Sequence, residues 1–130
     1  MRRLVDSARV ARLATVDADG RPHVVPVCFV RVGDTVFSAV DSKPKQSTRL
    51  RRLSNLEENP DCCLLVDRYD DDWSRLWWVR LDGRGRIVHD ERQAADAVAA
   101  LTGRYPQYES DPPTGPVLAV EVHRWSGWSA

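Results

Sequence analysis

Residues 11–40 read ARLATVDADGRPHVVPVCFVRVGDTVFSAV and set the class of the fold. The stretch holds three apolar runs of strand length, at residues 11–16, 24–30 and 35–40. Asp19-Gly20 and Gly33-Asp34 separate these runs, and both pairs are typical of tight turns. Strands joined by tight turns pair antiparallel with each other. The sequence therefore predicts a three-stranded antiparallel meander here, not a set of parallel crossovers.

Pro26 interrupts the second of these runs. Proline has no backbone N–H to give to a strand ladder, so it marks an edge, a bulge or an opening in the sheet. An opening would expose the backbone groups of Val25 and Val27 to a ligand. A proline at an edge would only protect the sheet from aggregation. Both interpretations stay open at this point.

Residues 41–49, DSKPKQSTR, connect the third strand to a predicted helix at residues 47–58. A helix begins with unpaired N–H groups and the positive end of its dipole, which together favour an anion such as phosphate. Lys43, Lys45 and Arg49 add positive charge at the same place. A solvated basic turn before a surface helix would have the same composition. The segment therefore predicts a phosphate site only if the rest of the chain supports one.

The second half of the chain continues the pattern of short strands. In the helix at 47–58, Leu50, Leu53 and Leu56 share the apolar face and Arg51 and Arg52 lie on the others. Further strands are predicted at residues 62–66, 76–81, 86–88 and 117–122, and a second helix at 91–101. Many short antiparallel strands with two main helices predict a mainly β single domain over residues 1–130, built as a closed or split β-barrel.

Bulk composition restricts the function. The chain has 130 residues and a net charge of +0, which gives no support to a general nucleic-acid or membrane partner. No apolar run is long enough to span a bilayer. The cysteines, Cys28, Cys62 and Cys63, show no disulfide or metal spacing, so the sequence predicts a cytoplasmic protein.

Trp77-Trp78-Val79-Arg80 is the most informative aromatic segment. In a strand, Trp78 and Arg80 share one face, where they could hold a flat anionic ligand by stacking and hydrogen bonding. An aromatic core with a solvated arginine would look the same. Together with Pro26 and the basic turn, the segment predicts a cofactor groove. A nucleic-acid groove would use similar residues, but the neutral net charge argues against it.

No catalytic residue or metal site is predicted. His23, His89 and His123 are scattered along the strands, and a lone histidine of this kind is more often structural. Residues 70–72 are three aspartates, but no regular ligand spacing accompanies them.

The sequence resembles the split β-barrel flavin and deazaflavin oxidoreductases related to pyridoxine phosphate oxidase. The resemblance covers nearly the whole chain. It rests on residues 11–16 and 19–22, on Val25-Pro26-Val27, on Val36-Phe37, on the basic turn and on Asn59-Pro60. Within that group, D-x-K-P-K at 41–45, D-x-Y-D-x-D-W at 67–73 and LWWVR at 76–80 are similar to an actinobacterial branch described as using the deazaflavin F420.

The resemblance implies a homodimer with cofactor grooves at the subunit interface, each lined in part by the loops at 70–73 and 105–114. Ser38 would lie near the cofactor phosphates. The implied cofactor-binding residues are Val25, Pro26, Val27, Ser38, Lys43, Lys45, Arg49, Trp78 and Arg80.

The implied activity is hydride transfer between F420 and a small unsaturated or quinone-like substrate. Members that bind FMN usually have a different third strand and a Ser-x-Lys turn, so Lys43-Pro44-Lys45 favours F420 over FMN. An FMN flavoprotein, and a non-enzymatic module that stores a cofactor or haem, stay as alternatives.

Overall fold

The computed structural model describes residues 1–40 and 47–130, with residues 47–50 described as backbone only. Seven strands form one sheet: β1 Ala11–Val16, β2 Pro22–Val27, β3 Val30–Val32, β4 Thr35–Ala39, β5 Asp61–Arg68, β6 Trp77–Ile87 and β7 Val117–Ser129. The α-helices are α1 Arg2–Ser7, α2 Ser47–Glu58, α3 Glu91–Arg104 and α4 Gln107–Ser110, with one 3-10 turn at Trp73–Arg75.

The sheet is antiparallel throughout, in the order β2-β1-β5-β6-β7-β4-β3. Its two edge strands, β2 and β3, follow each other in the chain and are joined by Cys28 and Phe29 alone. Two residues cannot span a flat seven-stranded sheet, so the sheet curls until its edges meet. The result is a split half-barrel, which confirms the predicted mainly β fold.

The predicted meander is wrong. The run at residues 24–30 is two strands, because the chain leaves one edge of the sheet after Val27 and joins the other edge at Val30. At this junction the Tyr105 hydroxyl accepts from the Phe29 N–H and lies within hydrogen-bond distance of the Phe29 carbonyl oxygen, and the Phe29 side chain is buried. A contact between residues 76 positions apart cannot be seen in local sequence patterns.

β6 is also longer than predicted. The chain continues as one strand through Asp82-Gly83, between the two separate strands predicted at residues 76–81 and 86–88, and forms a bulge opposite β7. A side chain at Gly83 would collide with the backbone oxygen of Glu121, so this glycine serves close strand contact. β7 likewise extends past the predicted residue 122 to Ser129, and Trp78 pairs with Trp128 across the two strands.

The core lies inside the curled sheet, under α1 and α2. Its buried members are Val5, Ala11, Leu13, Val27, Phe29, Val36, Leu56, Leu64, Val66, Val79, Leu81, Leu118, Val120 and Val122. Val5 of α1 is fully buried in it, and the helix is tied to the β3–β4 hairpin by the ion pairs Asp6–Arg31 and Arg2–Asp34. The short N-terminal helix is therefore part of the core.

The helices match the sequence well. α2 has the predicted bounds, and the N–H of Asn59 donates to the carbonyl of Asn55 at its end. Asp90 caps α3 by accepting from the N–H groups of Arg92 and Gln93, and the helix runs to Arg104, three residues past its predicted end. No helix among the described residues is long and apolar enough to cross a membrane.

Candidate functional site

A cleft of about 260 Å³ opens where the two edges of the sheet meet. It lies between the ends of β2 and β4 on one side and the segment after α3 on the other, with α2 contributing one side chain. Its lining residues are Pro26, Val27, Cys28, Ser38, Ala39, Arg52, Gln107, Tyr108 and Asp111. Three residues predicted to bind a cofactor, Pro26, Val27 and Ser38, are thus brought together here.

Two polar side chains of the cleft are almost completely buried. Ser38 is 7% exposed and Arg52 is 8% exposed. The sequence interpretation placed Arg52 away from the apolar face of α2, and this is wrong, because Arg52 is buried. Arg52 shares the inward face of the helix with Asn55 and Leu56, three and four positions later. This spacing could have indicated from the sequence that Arg52 is buried. A guanidinium held near a hydroxyl suits an anion such as phosphate.

The packing of α2 fixes the position of Arg52. Leu56 is 3% exposed and packs in the core. The Asn55 side-chain amide donates to the hydroxyl of Thr15 in β1 at 3.1 Å, and both side chains are buried. Arg52 therefore enters the cleft from a helix that is held both by apolar packing and by a buried hydrogen bond.

β2 presents its residues alternately to the two sides of the sheet. Val25 packs against the core, whereas Pro26 is exposed and stands opposite Arg12 in the ladder. Because β2 is an edge strand, its outer backbone groups are not all used by β1. The outer backbone edge at residues 25–27 is therefore available for the predicted contact with a cofactor. The contact itself stays a prediction.

The segment after α3 closes the cleft. The sequence interpretation treated residues 105–114 as a groove-lining loop, and Gln107, Tyr108 and Asp111 do line the cleft. Part of the segment is helical, as α4. The other loop expected to line a groove, residues 70–73, lines neither this cleft nor the hollow described next.

A second hollow, of about 640 Å³, lies on the side of β2, β1, β5 and β6 that faces away from the core. We call this side of the sheet the outer face. Its lining residues are Arg12, Ala14, Val24, Cys63, Leu65, Asp67, Trp78 and Arg80. Trp78 and Arg80 share this face, as their strand spacing predicted. The two hollows have no lining residue in common, yet Val24 and Pro26 stand two positions apart on the same side of β2.

The outer face is apolar in its middle and charge-balanced around it. Val24, Leu65 and Trp78 are 60%, 39% and 39% exposed. The flanking arginines are paired with carboxylates: Arg12 with Asp67 at 3.1 Å and Arg80 with Asp82 at 3.3 Å. Exposed apolar side chains grouped in this way are typical of an interaction surface.

A third hollow, of about 390 Å³, separates the β1–β2 hairpin from α2. His23 lines it, and the Nδ1 atom of His23 is buried without a hydrogen-bond partner among the described residues. Burial lowers the pKa of His23, and the charges of Arg51 and Arg52 lower it further. The imidazole is therefore held neutral next to the arginines of α2.

Three predicted phosphate-binding residues fall outside the described part of the structure. Lys43 and Lys45 precede residue 47, and the side chain of Arg49 is not among those described. Their roles stay predictions. Among the described residues, no cluster of histidine, cysteine and carboxylate side chains could hold a metal ion.

Comparison with known proteins places this site in a family context. No curated protein matches the sequence of the chain. The fold is similar to the conserved hypothetical protein Rv2991 from Mycobacterium tuberculosis, with 19% identity, a TM-score of 0.79 and coverage of 98% of this chain and 81% of that chain. It is also similar to HutZ, the heme storage protein from Vibrio cholerae, with 18% identity, a TM-score of 0.75 and coverage of 98% and 90%.

A FAD-binding protein from Mesorhizobium loti is a third similar structure, with 22% identity, a TM-score of 0.71 and coverage of 97% of this chain and 87% of that chain. At such identities these likenesses establish the fold alone. The sequence evidence is more specific, because the profile of pyridoxamine 5'-phosphate oxidase matches residues 1–129. That match spans almost the entire chain, and the protein therefore belongs to the pyridoxamine 5'-phosphate oxidase family.

Proposed function

We propose that this protein is an oxidoreductase that binds F420 in the cleft and moves a hydride between it and a small unsaturated or quinone-like substrate. The observation that carries the proposal is the convergence of two buried polar side chains, Ser38 and Arg52, beside Pro26. The chain between Ala39 and Ser47 carries Lys43 and Lys45, so the basic turn joins the two elements that supply these side chains.

Arg52 and Ser38 fit a phosphate group. The guanidinium offers several N–H donors in a fixed plane, and the hydroxyl can donate one more hydrogen bond. Both groups are already buried, so little side-chain freedom is lost when they bind an anion. When bound, the deazaflavin supplies the two-electron chemistry, while this chain orients the ring and excludes water from it.

A homodimer is part of the proposal. The exposed apolar side chains of the outer face, Val24, Leu65 and Trp78, with Trp128 beside them, would be covered by a second copy of the chain. A cofactor groove at the interface between the copies, as the family resemblance implies, would place Trp78 and Arg80 near a cofactor. This explains why the predicted site residues lie on two hollows of one chain.

FMN is the second candidate cofactor, because the chain belongs to a family named for a flavin enzyme and has a FAD-binding protein among its structural neighbours. Haem storage is less well supported. HutZ shares the fold, but the three histidines, which are the most usual neutral haem ligands, line neither the cleft nor the hollow on the outer face.

The test is a titration of tryptophan fluorescence with F420 and, separately, with FMN, on the wild type and two variants. Arg52→Gln should weaken cofactor binding by ~1.5–3 kcal/mol, because it removes a charge-assisted hydrogen bond. Arg51→Gln is the matched control, since Arg51 is the exposed neighbour and lies outside the cleft. Circular dichroism establishes that both variants are folded.

Saturable quenching by F420 alone, lost in Arg52→Gln and kept in Arg51→Gln, is the expected result. Quenching by FMN alone would transfer the proposal to the flavin. A wild type that binds neither ligand, or two variants with equal affinities, would refute the assignment of the cleft.

A further inference from the structure

The backbone at Phe29 is held by the side chain of Tyr105, which lies 76 positions later in the sequence. Phe29 lies between β2 and β3, outside both ladders. Its N–H donates to the Tyr105 hydroxyl oxygen at 3.0 Å. The same hydroxyl lies 3.1 Å from the carbonyl oxygen of Phe29 and 2.9 Å from that of Arg9, and its single proton can be donated to either.

This junction forms one wall of the cleft. Cys28, the residue before Phe29, lines the cleft together with Val27 and Pro26. The hydrogen bond between Tyr105 and the Phe29 backbone is buried, as Phe29 is 1% exposed and Tyr105 is 8% exposed. A buried amide without its partner is costly, so the hydroxyl fixes where the strand must turn.

Tyr105 also belongs to the opposite wall. It is the residue directly after α3, and only Pro106 separates it from α4, whose Gln107 and Tyr108 line the cleft. The Tyr108 N–H donates to the Tyr105 carbonyl at 2.9 Å. The two rings pack edge to face, with centroids 5.8 Å apart.

Arg104 strengthens this attachment. Its guanidinium donates to the carbonyl oxygens of Asp6 and Ala8 and stacks on the Phe29 ring at 4.8 Å. The end of α3 is thereby fixed to the N-terminal segment and to the strand junction at once, and Tyr105 has little freedom to move.

We propose that Tyr105 is a positioning residue that fixes the width of the cleft, because it holds the Cys28 wall through its hydroxyl and the Tyr108 wall through its backbone and ring. This rests on the proposed function, in which the cleft holds the cofactor. Loss of the hydroxyl frees the Cys28 wall from the end of α3, while the Tyr108 wall keeps its contacts with the Tyr105 backbone and ring. Ser38 and Arg52 lie on other elements, so the binding of a simple anion does not depend on the hydrogen bond between Tyr105 and Phe29.

The test compares Tyr105→Phe, which keeps the ring, with Thr102→Val. Thr102 is on the same helix and donates its hydroxyl proton to the Val98 carbonyl at 2.8 Å, away from the cleft. Hydrogen exchange without ligand is measured first. Faster exchange at Phe29 in Tyr105→Phe only is expected, with residues 107–111 and β6 unchanged.

Binding of F420, FMN and inorganic phosphate is then measured on all three proteins. Tyr105→Phe should bind the ring-bearing cofactor about tenfold more weakly if only about a tenth of the molecules then keep the cleft at the width that the ring needs, with phosphate binding unchanged. Unchanged exchange at Phe29, or equal cofactor affinities in the two variants, would overturn the proposal. If the wild type binds no cofactor, the proposed function fails, and the exchange at Phe29 alone decides whether the Tyr105 hydroxyl holds the Cys28 wall.

Discussion

The side-chain amide of Asn55 donates a hydrogen bond to the hydroxyl oxygen of Thr15 at 3.1 Å, across the contact between α2 and β1. The two side chains are 4% and 3% exposed. A buried polar pair of this kind is costly to break from one side, because the remaining group keeps its desolvation penalty.

We expect Asn55→Leu and Thr15→Val each to lower the free energy of unfolding by ~1–3 kcal/mol. The double variant should lose less than the sum of the two, by about 1 kcal/mol, since neither polar group is then left unpaired. Urea denaturation of the four proteins measures this coupling. Strict additivity would show that the bond does not hold α2 in place.

The local elements of this fold could be predicted from the sequence. Asp19-Gly20 gave the first hairpin, and the leucine spacing gave α2, whose predicted bounds of 47–58 are those of the structure. The predicted start of the second helix, at residue 91, is also the start of α3. In each case the residues that determine the structure are neighbours in the chain, so the local sequence pattern is enough to predict the element.

The non-local features could not be predicted. The strand break after Val27 is held by Tyr105, and the continuation of β6 through Gly83 depends on close contact with the backbone of Glu121. Part of the candidate site followed from the family resemblance, since Pro26, Val27 and Ser38 line the cleft. Arg52 was missed because an arginine on an amphipathic helix is usually solvated.

The outer face provides a prediction about assembly. Leu65→Glu places a charge in the middle of the apolar patch and should convert the proposed homodimer into monomers, because the charge would be buried at the proposed interface. Val32→Glu is the control, on an exposed valine of β3 that does not line this hollow. Sedimentation equilibrium gives the masses. A monomeric wild type would contradict the homodimer.

The cysteines should report directly on cleft occupancy. Cys28 is exposed and lines the cleft, whereas burial raises the pKa of Cys62 to about 12, with smaller contributions from Cys63 and Asp61. At pH ~8 Cys62 is then almost entirely in the unreactive thiol form. Iodoacetamide should modify Cys28 first, and bound cofactor should slow that reaction.

Mass spectrometry of the peptides locates the label, and Cys28→Ser should abolish the fast phase. Equal labelling of Cys28 with and without saturating cofactor would place the ligand outside the cleft.

Acid should destabilise the β1–β2 turn through Asp17. Its carboxylate accepts from the N–H groups of Asp19 and Arg21, and the bond from Arg21 is the main reason why its pKa is lowered. A carboxyl group whose pKa is lowered in the folded state adds to the free energy of unfolding when the pH is above its unfolded pKa, ~3.9. This contribution is lost as the pH falls further.

Asp17→Asn can still accept both bonds but does not titrate, so its melting temperature should fall less than that of the wild type between pH 6 and pH 3 (roughly the range that spans carboxyl titration). Asp71→Asn, on an exposed aspartate of the loop before Trp73, is the control. Parallel melting curves for Asp17→Asn and the wild type would contradict the assigned role.

The place of β7 in the sheet has a consequence for biosynthesis. It is the seventh strand in sequence, yet it lies between β6 and β4 and pairs with both. Before it emerges from the ribosome, the nascent chain can form only two separate pieces, β2-β1-β5-β6 and β4-β3. Their unpaired edges stay open to other chains during that interval. Completion of the barrel is therefore a late step in folding, and chaperone dependence should be greatest just before β7 is released.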